Sequence, residues 1–145
     1  MQQTPYDKTI DVSLLLLDNI NPRLPDIQES QHDAIKSMIK VQSDRVMGMA
    51  QHLVKYGPSR TNLLIVIPSE DEDEPDAFQV LDGNRRLTAI KLLESPSLAE
   101  GILSSTSMQK LRKLSTEFQK KPIKELRCTV YADRAEADPW IELIH

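Results

Sequence analysis

Several features are scarce in this chain of 145 residues, and each scarcity excludes a class of protein. The single cysteine, Cys128, cannot form an internal disulfide, which is typical of a reducing compartment such as the cytoplasm. The apolar runs, such as Leu14 to Leu17 and Leu63 to Ile67, are far too short to span a membrane. Aromatic residues make up only 4% of the chain, which argues against a base-stacking platform for single-stranded nucleic acid. We therefore expect a cytoplasmic domain without a membrane partner.

The charges are unevenly distributed along the chain. The formal net charge is −4, but six acidic residues lie in the seven positions from Glu70 to Asp76. We interpret this segment as a solvated loop. The remainder of the chain is weakly basic, so a local basic surface remains compatible with the composition.

The pattern of apolar residues predicts an α+β domain with a small mixed sheet flanked by helices. Residues 10–17 are predicted to form a first strand, or a strand and a turn. Further strands are predicted at residues 63–68, 77–81 and 124–131, and the first two of these form a hairpin with the acidic segment at its tip. The predicted helices cover residues 29–41, 43–56, 85–94, 98–121 and 133–145. Ser43 is the expected N-cap of the second helix, and Gly57-Pro58 ends it.

A strand leads directly into a helix at Asp82-Gly83-Asn84-Arg85-Arg86. The first backbone amides of a helix have no partner within the helix, and the helix dipole makes this end positive. Gly83 permits a tight turn and close approach of a ligand, and the two arginines add planar donor groups suited to phosphate. The residues alone leave two interpretations open: an anion site, or an ordinary turn with solvated arginines.

The segment from Asp82 to Ala89 resembles the Gly-Glu-Arg-Arg-x-x-Ala motif of the ParB N-terminal domain family, whose fold is shared with sulfiredoxin. Asn21-Pro22-Arg23 is similar to the segment that opens that domain. Residues 49–57 resemble its helix that ends in glycine, and residues 62–67 resemble the strand that follows. The resemblance covers residues 10–145 and implies a ParB/sulfiredoxin-like fold.

The resemblance also implies a ligand and the residues that bind it. The ligand is a nucleoside triphosphate with Mg²⁺, and the phosphate-binding residues are Gly83, Asn84, Arg85 and Arg86. Further pocket residues are expected at Asp82, Thr88, Asn21, Arg23, Gly57, Ser59, Arg60, Thr61 and Asn62. Glu142 occupies the region of the family's metal-binding helix and is the candidate metal ligand. The catalytic cysteine of sulfiredoxin is absent from the motif.

Three functions are compatible with these residues. The first is a nucleotide-binding domain, with NTP hydrolysis as a switch in DNA partition or DNA-linked defence. The alternative is a DNA-binding or nuclease module that uses the same arginines. The third is a protein-interaction domain whose pocket no longer binds. We expect one domain at residues 1–145, the N-terminal part of a longer protein, with a homodimer and DNA contacts after residue 145 as implied partners.

Overall fold

The structure is a computed structural model that describes residues 3–18 and 30–145. The described chain is α+β and divides into two compact units. The first unit comprises Met1–Asp18, Ser59–Asn84 and Lys124–His145, and the second comprises Asn19–Pro58 and Arg85–Ile123.

The first unit contains a mixed five-stranded sheet in the order β1-β5-β3-β4-β2. Its strands are β1 (Tyr6–Asp11), β2 (Leu15–Leu17), β3 (Leu64–Pro68), β4 (Phe78–Asp82) and β5 (Glu125–Val130). β3 and β4 form the predicted antiparallel hairpin, β1 is antiparallel to β5, and the pairs β2–β4 and β3–β5 are parallel. The prediction of a small mixed sheet is confirmed.

Residues 10–17, predicted as a strand or as a strand and a turn, contain the end of one strand, a turn and a second strand. β1 ends at Asp11, a 3-10 turn covers Val12–Leu14, and β2 begins at Leu15. The side chain of Asp11 accepts a hydrogen bond from the backbone N–H of Ser13 and caps this turn. β1 and β2 are the two edge strands, yet only three residues connect them. Three residues span about 10 Å at most, so the two edges must lie close and the sheet must curl.

One helix of the first unit, α4 (Arg134–Ile144), packs on this sheet. Asp133 caps it by accepting a hydrogen bond from the N–H of Glu136. The helix contributes Ala137 and Ile141 to an apolar cluster whose other members are Ile65, Ile67, Leu81 and Tyr131. Arg134, the first residue of α4, is hydrogen-bonded to Glu70 in the loop between β3 and β4.

The second unit is helical. It contains α1 (Gln31–Tyr56), most of α2 (Asn84–Glu94), a 3-10 turn (Pro96–Ala99) and α3 (Ser105–Lys120). α1 is kinked at Gln42, whose φ of −131° and ψ of 34° are not helical. The kink lies between the two helices predicted from the sequence, at the position where one was expected to end and the next to begin. The break between them is confirmed.

The predicted helix at residues 98–121 is shorter than expected. The chain turns at Gly101, which has a φ of +80°, and the helix starts only after Ser104. The side chain of Ser104 caps α3 by accepting a hydrogen bond from the N–H of Ser107. Four serine and threonine residues precede the first apolar position, and hydroxyl side chains favour helix caps over helix interiors.

Two further expectations concerned Cys128 and membrane-spanning segments. Cys128 is fully buried in β5, as expected for a small apolar side chain. In the part of the chain that the structure describes, no helix combines the length and apolarity required to cross a bilayer.

Ser115 joins α3 to the last turn of α2, because its buried hydroxyl donates to the carbonyl oxygen of Leu93 at 2.6 Å. We expect Ser115→Ala to lower the free energy of unfolding by about 1 kcal/mol, the usual net contribution of such a bond. The exposed neighbour Thr116 bonds only to Arg112 in its own helix. Thr116→Ala is the matched control, with an expected change within about 0.5 kcal/mol. Urea unfolding measures both, and equal losses would contradict the assignment.

Candidate functional site

The turn between β4 and α2 consists of one residue, Gly83. Its φ is +108°, a conformation that residues with a Cβ rarely adopt. A Cβ at this position would also lie 2.8 Å from Cγ of Leu64 in the neighbouring strand. Both the backbone conformation and the available space therefore require glycine.

The side chain of Asn84 stabilises the turn from within. It is 3% exposed, and its Oδ1 accepts a hydrogen bond from the backbone N–H of Asp18 at 3.0 Å. Its Nδ2 donates to the carbonyl oxygen of Val80 at 2.8 Å. Leu17 and Val80 are partners in the parallel β2–β4 pair, so the amide connects the ends of two adjacent strands. The side chain of this predicted phosphate ligand thus holds the turn together.

The first turn of α2 contains two arginines and no acidic residue. Arg85 is half-buried, and its Nε donates to Oε1 of Gln42 at 2.9 Å, at the kink of α1. Arg86 is buried, with 8% of its surface exposed. Thr88, a predicted pocket residue, is fully buried.

Asp82, the last residue of β4, is paired with a histidine. Its Oδ1 lies 2.7 Å from Nε2 of His145, the residue that follows α4. The Asp82 side chain is 16% exposed and that of His145 42%. The acidic residue nearest to the glycine therefore has a partner in the same unit.

A group of polar side chains that the sequence analysis did not identify lies beside this turn. Arg134, the first residue of α4, donates to both carboxylate oxygens of Asp18, from Nη1 at 2.9 Å and from Nη2 at 2.6 Å. It also donates to Glu70, from Nε at 3.0 Å and from Nη2 at 2.6 Å. Nε2 of Gln79 donates to Oδ1 of Asp18 at 3.2 Å. The hydrogen bonds to Asp18 raise the pKa of Arg134 further above its usual range, so it is permanently charged.

One sequence signal for this group did exist. A cation at a helix N-terminus opposes the helix dipole and costs stability unless an acidic group compensates it. It applies to Arg85 and Arg86 in the first turn of α2 and equally to Arg134 at the start of α4. Its two carboxylate partners lie 116 and 64 positions away in sequence, so no local pattern could identify them.

The remaining predicted pocket residues lie in other segments. Gly57 ends α1 with a φ of +79°. Ser59 organises the loop after it, since its Oγ accepts hydrogen bonds from the N–H groups of Thr61 at 3.3 Å and Asn62 at 3.1 Å. Arg60 is exposed in the same loop. The predicted pocket residues Asn21 and Arg23 lie outside the described residues. Gly83, Asn84, Arg85 and Arg86 lie together because they are consecutive in the chain.

The candidate metal ligand, Glu142, is exposed on α4. Within residues 3–18 and 30–145, no cluster of three or more histidine, cysteine, aspartate or glutamate side chains is arranged to hold a metal ion.

The chain is similar to a solved structure, that of a chromosome-partitioning protein. No protein-family model matches the chain, and no curated protein matches it. The structure of the C-terminally truncated chromosome-partitioning protein ParB from Caulobacter crescentus, complexed with CTP-gamma-S, is 15% identical in sequence, with a TM-score of 0.45. The match covers 96% of this chain and 51% of that one, so the chain spans about half its length.

We expect Gly83→Ala to lower the free energy of unfolding by at least about 2 kcal/mol, because the new Cβ would be strained at this φ and would displace Leu64. Gly48 in the middle of α1 is the matched control, since a Cβ there meets no atom within 4 Å. Gly48→Ala should raise stability by about 0.5–1 kcal/mol. Chemical denaturation of both variants gives the comparison. A Gly83→Ala protein as stable as wild type would show that the turn relaxes freely.

Proposed function

We propose that this chain is a ParB/sulfiredoxin-like nucleotide-binding domain, and that the first turn of α2 binds the nucleotide's phosphates. One observation carries the proposal: Arg85 and Arg86 lie in a helical turn that has no acidic residue and follows a glycine with a φ of +108°. The resemblance of residues 82–89 to the family motif supports the choice of a nucleotide as the ligand.

The electrostatics of the turn favour an anion. A helix N-terminus carries partial positive charge, and a cation placed there costs about 0.3–1 kcal/mol. Arg85 and Arg86 add two such charges to the first turn of α2. A phosphate group at the first turn of α2 would relieve the repulsion and would accept hydrogen bonds from backbone amides and guanidinium groups.

Each residue of the turn has a distinct proposed role. Gly83 lets a phosphate approach the backbone, and Asn84 contributes through its backbone N–H while its side chain maintains the turn. The Nε–H of Arg85 is one of five guanidinium donors, and its bond to Gln42 fixes the plane in which the others lie. Arg86 contributes positive charge close to the helix axis.

Mg²⁺ is proposed to enter with the nucleotide. Mg²⁺ in nucleotide sites keeps several water ligands and is held by phosphate oxygens together with one or two carboxylates. That mode of binding needs no preformed cluster, and it is compatible with the described residues. Glu142 remains the proposed carboxylate ligand. The resemblance further implies hydrolysis, and release of inorganic phosphate from the bound nucleotide tests it.

Titration calorimetry with CTP, ATP, GTP and UTP, each with and without Mg²⁺, tests the proposal. We expect at least one nucleotide to bind, and we expect Arg85→Ala to weaken it by roughly 10- to 100-fold, the loss of about 1.5–3 kcal/mol from a charged hydrogen bond. Arg112→Ala is the matched control, because Arg112 is an exposed arginine of the same unit whose ion pair with Glu100 is a surface one. It should retain wild-type affinity.

Two results would contradict the proposal. The first is that wild-type protein binds none of the four nucleotides at millimolar concentration. The second is that Arg85→Ala and Arg112→Ala weaken binding equally, which would indicate a general effect of net charge. Circular dichroism of each variant verifies that it is folded before the affinities are compared.

A further inference from the structure

A continuous series of hydrogen bonds runs within the first unit from α4 to the first residue of α2. It begins at the guanidinium of Arg134, which donates two hydrogen bonds to the carboxylate of Asp18 at 2.9 and 2.6 Å. It continues from the backbone N–H of Asp18 to Oδ1 of Asn84 at 3.0 Å. It ends where Nδ2 of Asn84 donates to the carbonyl oxygen of Val80 at 2.8 Å.

Asp18 is the central link because its carboxylate is almost completely buried. Its side chain is 3% exposed, and a buried carboxylate is costly unless it is paired and hydrogen-bonded. Arg134 supplies the opposite charge, and Gln79 donates a third hydrogen bond. These contacts fix the carboxylate, and with it the backbone N–H of the same residue.

The N–H of Asp18 is hydrogen-bonded to Asn84, in the turn at Gly83, and this turn is stabilised by residues outside it. Gly83 has no side chain and is intrinsically the most freely rotating residue of the strand-to-helix connection. The position of the first α2 amides therefore depends on the residue that follows, Asn84. Its side chain is held at both ends, by Asp18 and by Val80.

We propose that Arg134 is a positioning residue for the phosphate-binding turn, acting through Asp18 and Asn84 without contacting the ligand. The inference rests on the proposed function of that turn. The charge of Arg134 is balanced by Asp18 and Glu70, so its effect on phosphate comes from geometry and not from long-range attraction. When hydrogen bonds position the groups that contact a ligand, their removal lowers the affinity, even when every ligand-contacting group remains.

The test compares Arg134→Gln with Glu70→Gln, the matched control. Glu70 is the half-exposed partner of Arg134, and its replacement leaves the contact with Asp18 in place. The probes are inorganic triphosphate and whichever nucleotide the wild type binds, measured by calorimetry well below the unfolding temperature of each variant. We expect Arg134→Gln to weaken both by about tenfold, equivalent to ~1.4 kcal/mol, and Glu70→Gln to change them less than about twofold.

A double-mutant cycle separates positioning from a general loss of stability. If Arg134 acts through Asn84, the double variant Arg134→Gln/Asn84→Ala should bind triphosphate about as weakly as Asn84→Ala alone. If Arg134→Gln does not fold, Arg134→Lys takes its place, because it keeps the charge but cannot make the bidentate contact with Asp18. Its affinity should likewise fall below that of the control.

These measurements distinguish a failure of the proposed nucleotide binding from a failure of the positioning role of Arg134. Absence of triphosphate and nucleotide binding in the wild type overturns the proposed function, and with it this role. Binding by the wild type with unchanged affinity in Arg134→Gln overturns the positioning role alone. Strictly additive effects in the double-mutant cycle also overturn it, because independent sites add and a shared hydrogen-bond series does not.

Discussion

The two hydrogen bonds of the buried Asn84 side chain are the constraint on which the arrangement of the candidate site depends. They connect the end of β2 to the end of β4 at the point where the chain turns into α2. The turn has one freely rotating residue, Gly83, so its geometry comes from these bonds and from the strand pairing beside them. The conformation of the turn at Gly83 and Asn84 therefore depends on the Asn84 side chain.

Arginines lie at the start of both α2 and α4. Arg134 begins α4, and two carboxylates neutralise it. Arg85 and Arg86 lie in the first turn of α2, which contains no acidic residue. Both helix starts therefore carry arginine, and the carboxylate partners of Arg134 come from distant parts of the sequence.

Much of the fold was predictable, because its signals are local. The β3–β4 hairpin, the break in α1 at Gln42 and the strand-to-helix turn at Gly83 follow from apolar periodicity and from glycine, proline and capping residues. The division of residues 10–17 into two edge strands was not predictable, since strand order is set by distant partners. The Asp18–Arg134 contact joins residues 116 positions apart and has no local signature. The role of the Asn84 side chain was missed for the same reason, although the residue itself was identified.

The central claim is that phosphate groups bind at the backbone of the Gly83 turn. The most direct measurement is a two-dimensional NMR titration of the ¹⁵N-labelled protein with nucleoside triphosphate and Mg²⁺, following the backbone amides of residues 83–86. We expect these amides to show the largest chemical-shift changes, with saturation at a single affinity. Saturable shifts centred on other residues, with the amides of 83–86 unmoved, would contradict the account.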